Sequence, residues 1–170
     1  ADASVRKREA IEILDSYGVR EDVLEETAVA EGHLKIIRAR WEHQRRPGAP
    51  DKWRYVAQEF AWQEDRDDCF AAASTSQTSR TIDYIALKAG WSTVGADCVK
   101  VYYQTPQLEK VAVRPPPEYI ELLAREGRRT DVLWRLHKTL PGQRIGGRGW
   151  VEYATTRLCA ERFERSEALP

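Results

Sequence analysis

The sequence predicts an α+β fold, a small antiparallel sheet with helices packed on one side. Three observations carry that prediction. Between Ser4 and Tyr17 the apolar residues Val5, Ala10, Ile11, Ile13, Leu14 and Tyr17 recur near helical spacing. From Lys52 to Phe60, Trp53, Tyr55 and Ala57 alternate with Arg54, Val56 and Gln58, the period-two pattern of a half-buried strand whose faces differ. Between and after these segments, short apolar runs bounded by Gly and Pro alternate with helical patterns.

Taken in order, the Ser4–Tyr17 helix is expected to stop at Gly18, which tolerates a left-handed backbone. Val19–Leu24 and Leu34–Trp41 read as short strands, and Gln44–Asp51, with Pro47, Gly48 and Pro50, as the turn that makes a hairpin with the Lys52 strand. Trp62–Thr78 is acidic, serine-rich and loop-like. Ser79 is a candidate cap for a helix in which Ile82, Ile85 and Ala86 share a face before Gly90. Thr93–Tyr103 reads as a buried strand around one charged residue, Asp97, closed by Pro106. Val111–Val113 is a brief strand, and Pro115–Pro117 leads into a helix over Tyr119–Arg125 that ends at Gly127. Val132–His137 is another strand, Leu140–Gly149 a glycine-rich loop, and Trp150–Phe163 a closing helix.

At 170 residues the chain has the size of one domain or of a fragment of a larger one, which excludes a multidomain enzyme. Hydrophobic residues at 42% and charged residues at 32% give the balance of a soluble globular protein rather than a disordered tail. Lys plus Arg and Asp plus Glu both number 27, and a net charge of zero counts against autonomous nucleic-acid binding. The basic runs Arg38–Arg46 and Arg144–Arg148 suit either a phosphate track or a solvated face. Cys69, Cys98 and Cys159 are widely spaced and form no C-x-x-C pair, so neither a disulfide framework nor a zinc site is suggested and a reducing, intracellular compartment is expected. No apolar run is long enough to span a membrane, and the first residues lack a signal-peptide core. Met is absent even at position 1, which reads as a processed product or a piece of a longer reading frame, with an organelle after loss of an import peptide as one destination.

Four segments, in order and at matching spacing, carry a family resemblance. Lys52-Trp53-Arg54-Tyr55-Val56-Ala57-Gln58-Glu59-Phe60 resembles the K-A-R-L-V-A-K-G-F fingers strand of copia-type retrotransposon reverse transcriptases, and Ile36–Trp41 resembles the strand before it. Asp97-Cys98-Val99-Lys100-Val101-Tyr102-Tyr103 is similar to the palm strand D-V-K-x-A-F-L. Glu109–Tyr119 stands where the family has E-E-V-Y-M-x-x-P-P-G-F, and Leu136–Gly142 followed by Trp150 is similar to L-K-K-S-L-Y-G and a later A-W. The resemblance covers most of residues 8 to 160. It implies a partial fingers/palm fold in one domain over 1–170, fingers-like to about residue 92 and palm-like from about 93.

The resemblance also implies roles. Asp97 would be the first metal-ligating, catalytic carboxylate, holding Mg²⁺ only together with a second pair of carboxylates; the plainer alternative is a strand-end Asp paired with a Lys or Arg. Arg54 would contact the triphosphate of a nucleotide through its guanidinium fork, with Lys52 adding charge nearby, or both belong to the basic face of an edge strand. Tyr102 would stack under the sugar and crowd a ribose 2′-hydroxyl, or serve as a core aromatic.

Departures accompany the matches. The family's K-Q-A-P is replaced by Gln143–Arg148, and its aromatic-x-Asp-Asp hairpin falls after the last residue of this sequence, so the resemblance implies a polymerase fragment that is catalytically incompetent as it stands. Two metal ions about 3.5–4 Å apart need more than one carboxylate. Asp67-Asp68 precedes Asp97 in a loop and is not the missing pair. Gly142, Gly146, Gly147 and Gly149 follow no nucleotide-binding fingerprint, and His33, His43 and His137 share no metal-ligand spacing. Two functions follow: an RNA-directed DNA polymerase fragment, with nucleic acid a partner by resemblance only, or a non-enzymatic scaffold or adaptor bound to other protein subunits.

Overall fold

The computed structural model describes residues 3–30, 35–60, 66, 68–69, 71 and 76–164. Helix α1 (Ala3–Ser16) buries Ile11 and Leu14 and stops where the sequence predicts. Gly18 takes φ +61°, and the Gly18 and Val19 amides donate back to the carbonyls of Asp15 and Leu14 at 2.9 Å each, closing the helix. Strand β1 (Arg20–Leu24) and helix α2 (Glu25–Ala30) follow, then β2 (Lys35–Ile37), β3 (Ala39–Gln44), β4 (Lys52–Ala57) and α3 (Ser76–Ala89). The second half runs α4 (Val101–Gln104), β5 (Val111–Val113), α5 (Pro117–Arg125), β6 (Val132–Leu136) and α6 (Gly146–Ala160).

The strands form a four-stranded sheet, ordered β1-β6-β5-β2, and a two-stranded hairpin, β3-β4. The fold is therefore α+β, but the expected antiparallel sheet is mixed. β6 pairs antiparallel with β1 and β5, whereas β2 runs parallel to β5, with Lys35 opposite Val111 and Ile37 opposite Val113. A long crossover permits this, because the hairpin, α3 and α4 all lie between β2 and β5. In the hairpin, Ala39 faces Ala57 and Gln44 faces Lys52, as the turn residues predict.

Four expectations are corrected. Thr93–Tyr103 is not a buried strand. Residues 91–98 are exposed and irregular, Lys100 turns left-handed at φ 54°, ψ 42°, and α4 starts at Val101. Both edges of β5 are already taken by β6 and β2, and the Thr105 amide and hydroxyl bond back to the Val101 carbonyl at 3.1 and 2.9 Å, which favours a helical turn there. The Leu34–Trp41 strand breaks at Arg38, whose carbonyl accepts the Gln58 amide at 2.7 Å, so its two pieces join different sheets; Leu34 lies outside the described residues. α3 starts at Ser76, which puts Ser79 within its first turn instead of at its cap; most of the Trp62–Thr78 loop, Trp62 included, lies outside the described residues. The glycine run is the start of α6, not a loop: a Cβ on Gly146 would stand 2.6 Å from the Tyr102 ring and one on Gly149 3.1 Å from Thr105, so these glycines serve by being small. α2 was not anticipated.

The core centres on Trp134 of β6, which is fully buried. Tyr55 of the hairpin and Tyr119 of α5 meet it edge-on at 5.5 and 5.1 Å, and the Arg20 guanidinium lies 4.0 Å above its ring. Leu14, Val19, Leu123 and Leu140 fill the spaces around it. The Tyr55 hydroxyl donates to the Arg114 carbonyl at 2.6 Å, and the Ala57 amide donates to the Pro141 carbonyl at 2.8 Å, which moors the hairpin to the rest of the chain.

Gly142 tests this mooring. It has φ +89°, and a Cβ there would stand 2.1 Å from the Ala57 carbonyl oxygen, which is backbone and cannot rotate away. Gly48 at φ +74° has nothing within 4 Å of its absent Cβ. Gly48→Ala is expected to cost only the left-handed backbone penalty, about 1–2 kcal/mol, whereas Gly142→Ala is expected to cost more than that; urea unfolding gives both, and equal costs would show that the close approach has no energetic weight.

Candidate functional site

The site is built on the hairpin. Period-two alternation puts Lys52 and Arg54 on one face of β4 and Trp53, Tyr55 and Ala57 on the other, where Tyr55 and Ala57 are buried. The aromatic face is locked by Trp41, which meets Tyr55 at 5.1 Å and donates from Nε1 to Glu118 at 3.1 Å. The Lys7 ammonium lies 4.9 Å above Trp53 and also pairs with Glu118. β4 therefore has little freedom to rotate, and its cationic face has a fixed direction.

That face borders a cavity of about 400 Å³. Ala10 and Ile13 of α1 and Pro141 give it apolar walls, while Tyr102 and Tyr103 of α4 close another side. Its charge comes from Lys52, Arg54 and Lys100 against the single carboxylate of Glu42, a formal excess of two positive charges. Glu42 stands opposite Arg54 in the hairpin register, yet among the described residues none of the three cations has an ion pair.

The electrostatics follow from this crowding. Lys52 is exposed, but partial desolvation of its ammonium first, then the nearby charges of Arg54, Arg46 and Lys100, hold it below its ordinary pKa. Burial raises the Tyr103 hydroxyl, and Arg54 opposes that shift. Tyr102 is held differently: its ring rests on Gly146 and its carbonyl accepts the Thr139 hydroxyl at 2.8 Å. Lys100 keeps a left-handed backbone that costs a non-glycine residue about 1–3 kcal/mol, and its ammonium lies 5.0 Å above the Tyr17 ring.

Three of the four residues singled out in the sequence, Lys52, Arg54 and Tyr102, thus line one cavity although about fifty positions separate the strand from the tyrosine. Asp97 does not join them: it is exposed in the irregular segment before α4 and does not line the cavity. Among the described residues no three His, Cys, Asp or Glu side chains gather in a way that could hold a metal ion. One exposed carboxylate does not fit a two-Mg²⁺ centre, and no step through such a centre follows from these residues.

The remaining candidates are tied up elsewhere. Asp68 accepts from Arg66 at 2.8 and 2.6 Å, and these bonds pull its carboxyl down to about 2; Asp67 lies outside the described residues. His43 stacks on Trp53 at 4.4 Å and reaches Asp51 at 2.8 Å, and His137 stands 3.3 Å from Glu21; His33 lies outside the described residues. In the second basic run the Arg144 amide donates to Glu59 at 3.0 Å and Arg148 pairs with Glu152 at 2.7 Å. Cys69, Cys98 and Cys159 are free thiols, and no helix among the described residues is long and apolar enough to cross a membrane. Lys100 and Glu42 were missed; nothing in residue type or spacing separates them from ordinary solvated charges.

No protein-family model, no curated protein and no solved structure matches the chain. The Lys52 ammonium gives a direct test of the cavity's field. It is expected to titrate below the ordinary lysine value of 10.5. The unfolded chain then holds this proton more tightly than the folded one, so its contribution is unfavourable below the folded-state pKa and is relieved as pH rises from there toward the ordinary value. NMR of the Lys52 Nζ across alkaline pH measures the shift, and Arg54→Gln is expected to lessen it; a normal titration in the unaltered chain contradicts the geometry.

Proposed function

We propose that the chain binds the phosphate end of a nucleotide in the cavity between β4 and α4, as a reverse-transcriptase-like fold of the copia type. The observation that carries this reading is the meeting of Lys52, Arg54 and Tyr102 on one cavity. Sequence resemblance gave them a shared role from two separated segments, and nothing in that resemblance used the cavity.

The chemistry agrees with the residue types. A guanidinium presents a planar fork of donors that matches phosphate oxygens, and a neighbouring ammonium adds a point charge. Arg54 and Lys52 would hold the phosphates, while Tyr102, seated on Gly146, would place its ring against the sugar. A cavity of about 400 Å³ is in the usual range for small-molecule sites, roughly 300–1,000 Å³. The role assigned to these residues is binding. Asp97 stands off the cavity, so bond-making is not part of the proposal.

A second reading, a scaffold or adaptor subunit, is favoured by a separate feature. α3 and the segment after it expose Leu87 (81%), Trp91 (70%) and Val94 (92%), together with Ile82 and Ile85. Among the described residues no helix or strand packs extensively on α3. A concentrated apolar surface of this kind marks an interaction site in many proteins. Trp41 of the hairpin takes no part in this surface, being packed against the core.

Two outcomes separate the readings. Under the nucleotide reading, Arg54→Gln is expected to weaken dATP binding about tenfold or more, the loss of one charge-assisted contact, and Tyr102→Ala to reduce the preference for dATP over ATP. Fluorescence titration reads both, and an Arg54→Gln chain that binds dATP normally refutes the assignment. Under the adaptor reading, the chain in extracts of its own cells migrates in a large assembly that Leu87→Glu with Trp91→Glu dissolves, with dATP affinity untouched; migration at monomer size rules that reading out.

A further inference from the structure

We propose that the open edge of β3 takes up an extended acidic peptide as a third strand of the hairpin. The proposal is independent of the nucleotide reading, and it gives a use to the arginines of the basic run Arg38–Arg46, which that reading does not employ.

The backbone supplies the first argument. In the hairpin Ala39 faces Ala57 and Gln44 faces Lys52, and in the same register the Gln58 amide donates to the Arg38 carbonyl at 2.7 Å. Antiparallel strands alternate between pairs that exchange hydrogen bonds and pairs that do not. The bonds to β4 therefore fall on Arg38, Arg40, Glu42 and Gln44, and the amides and carbonyls of Ala39, Trp41 and His43 point away from it. On β4 the same alternation turns the Ala57 amide outward, where Pro141 accepts it, and α1 packs along that strand. The outer edge of β3 has no such cover. Among the described residues only β4 packs extensively on it, and the outward backbone groups of Ala39, Trp41 and His43 have no hydrogen-bond partner. Proteins blunt an exposed edge with a proline, a bulge or a very short strand. β3 has six residues, no proline and an unbroken register.

Charge supplies the second. Side chains two apart in an extended chain share a face, which puts Arg38 and Arg40 side by side; both are exposed. Arg45 follows at the hairpin tip, and among the described residues none of these three has an ion pair. Arg46 donates to the Pro50 carbonyl at 3.0 and 2.7 Å and keeps its charge. Four arginines against the single carboxylate of Glu42 leave the run from 38 to 46 with a formal excess of three positive charges.

These two features together select the occupant. A second copy brings the same excess, and like charges set opposite each other weaken strand pairing. Even the register centred on Trp41, which sets Arg40 against the other copy's Glu42, brings Arg38 beside the arginines of the other hairpin tip. A nucleic acid offers phosphates but no row of amides and carbonyls for the edge, and a net charge of zero counts against it. An extended peptide with carboxylates at every second position answers both needs, pairing with the backbone and with Arg38 and Arg40. Its intervening side chains fall beside Ala39 and Trp41, which suits β-branched apolar residues. The position facing Glu42 must be uncharged.

A fluorescein-labelled peptide of sequence Thr-Val-Thr-Val-Glu-Val-Glu tests this by fluorescence anisotropy. Added antiparallel, it sets its glutamates opposite Arg40 and Arg38, its valines opposite His43, Trp41 and Ala39, and a threonine opposite Glu42. The unaltered chain is expected to bind it. N-methylation of the three valine amides, which removes the donors to β3 and keeps the charge, is expected to weaken binding about tenfold or more. Arg38→Glu with Arg40→Glu is expected to weaken it about as much and to bind instead the peptide with lysines in place of its glutamates; both positions are exposed, and circular dichroism confirms that the variant is folded. Equal binding of the N-methylated peptide overturns the proposal, because charge then acts without strand addition. So does a chain that ignores the peptide, whether it binds a thymidine dodecanucleotide through these arginines or forms a dimer that Arg40→Glu disperses.

Discussion

Burial of Trp134 is the interaction on which the rest of the structure depends. It stands on β6, inside the larger sheet, and Tyr55 from the hairpin, Tyr119 from α5 and Arg20 from β1 all close on it. Each aromatic pair contributes about 0.5–1.5 kcal/mol beyond the area it buries, so this one ring ties the hairpin and α5 to β6, with which neither shares strand pairing. The functional consequence is geometric. Tyr55 is anchored against Trp134, and its neighbours on either side, Arg54 and Val56, must point the other way. The direction of the cationic face is thus a property of the core.

The second constraint is the segment from Leu140 to Gly149. Pro141 accepts the Ala57 amide, Gly142 lies against the Ala57 carbonyl, and Gly146 supports the Tyr102 ring. Through these contacts one short stretch sets the end of β4 and the face of α4 in relation to each other, and the cavity is the space left between them. The glycines are used at two positions for what they lack. A methyl group at Gly142 would meet backbone, and at Gly146 the aromatic ring that the site presents.

Local patterns were legible and long-range pairings were not. The alternation from Lys52 to Ala57, the stop at Gly18 and the proline-led start of α5 each follow from steric rules acting over a few residues, and each is found where the sequence predicts. The parallel pairing of β2 with β5 depends on residues as far apart in the chain as Lys35 and Val111, which no local pattern reports. Thr93–Tyr103 misleads because its apolar residues resemble a buried strand while the adjoining edges of β5 are already occupied. The glycines at 146–149 mislead in the opposite sense, since glycine in a sequence suggests a loop and here it permits close packing inside a helix. In the site, Lys52, Arg54 and Tyr102 could be chosen through resemblance, whereas Lys100 becomes visible only once its left-handed turn is known.

The central claim is that two separated segments form one anion-accepting cavity. A crystal structure of the chain soaked with a non-hydrolysable deoxynucleoside triphosphate tests it most directly. The account predicts phosphate density against Lys52 and Arg54 with the sugar beside Tyr102. Density for the nucleotide elsewhere, such as on the basic run Arg144–Arg148, with the β4–α4 cavity unchanged, would contradict it.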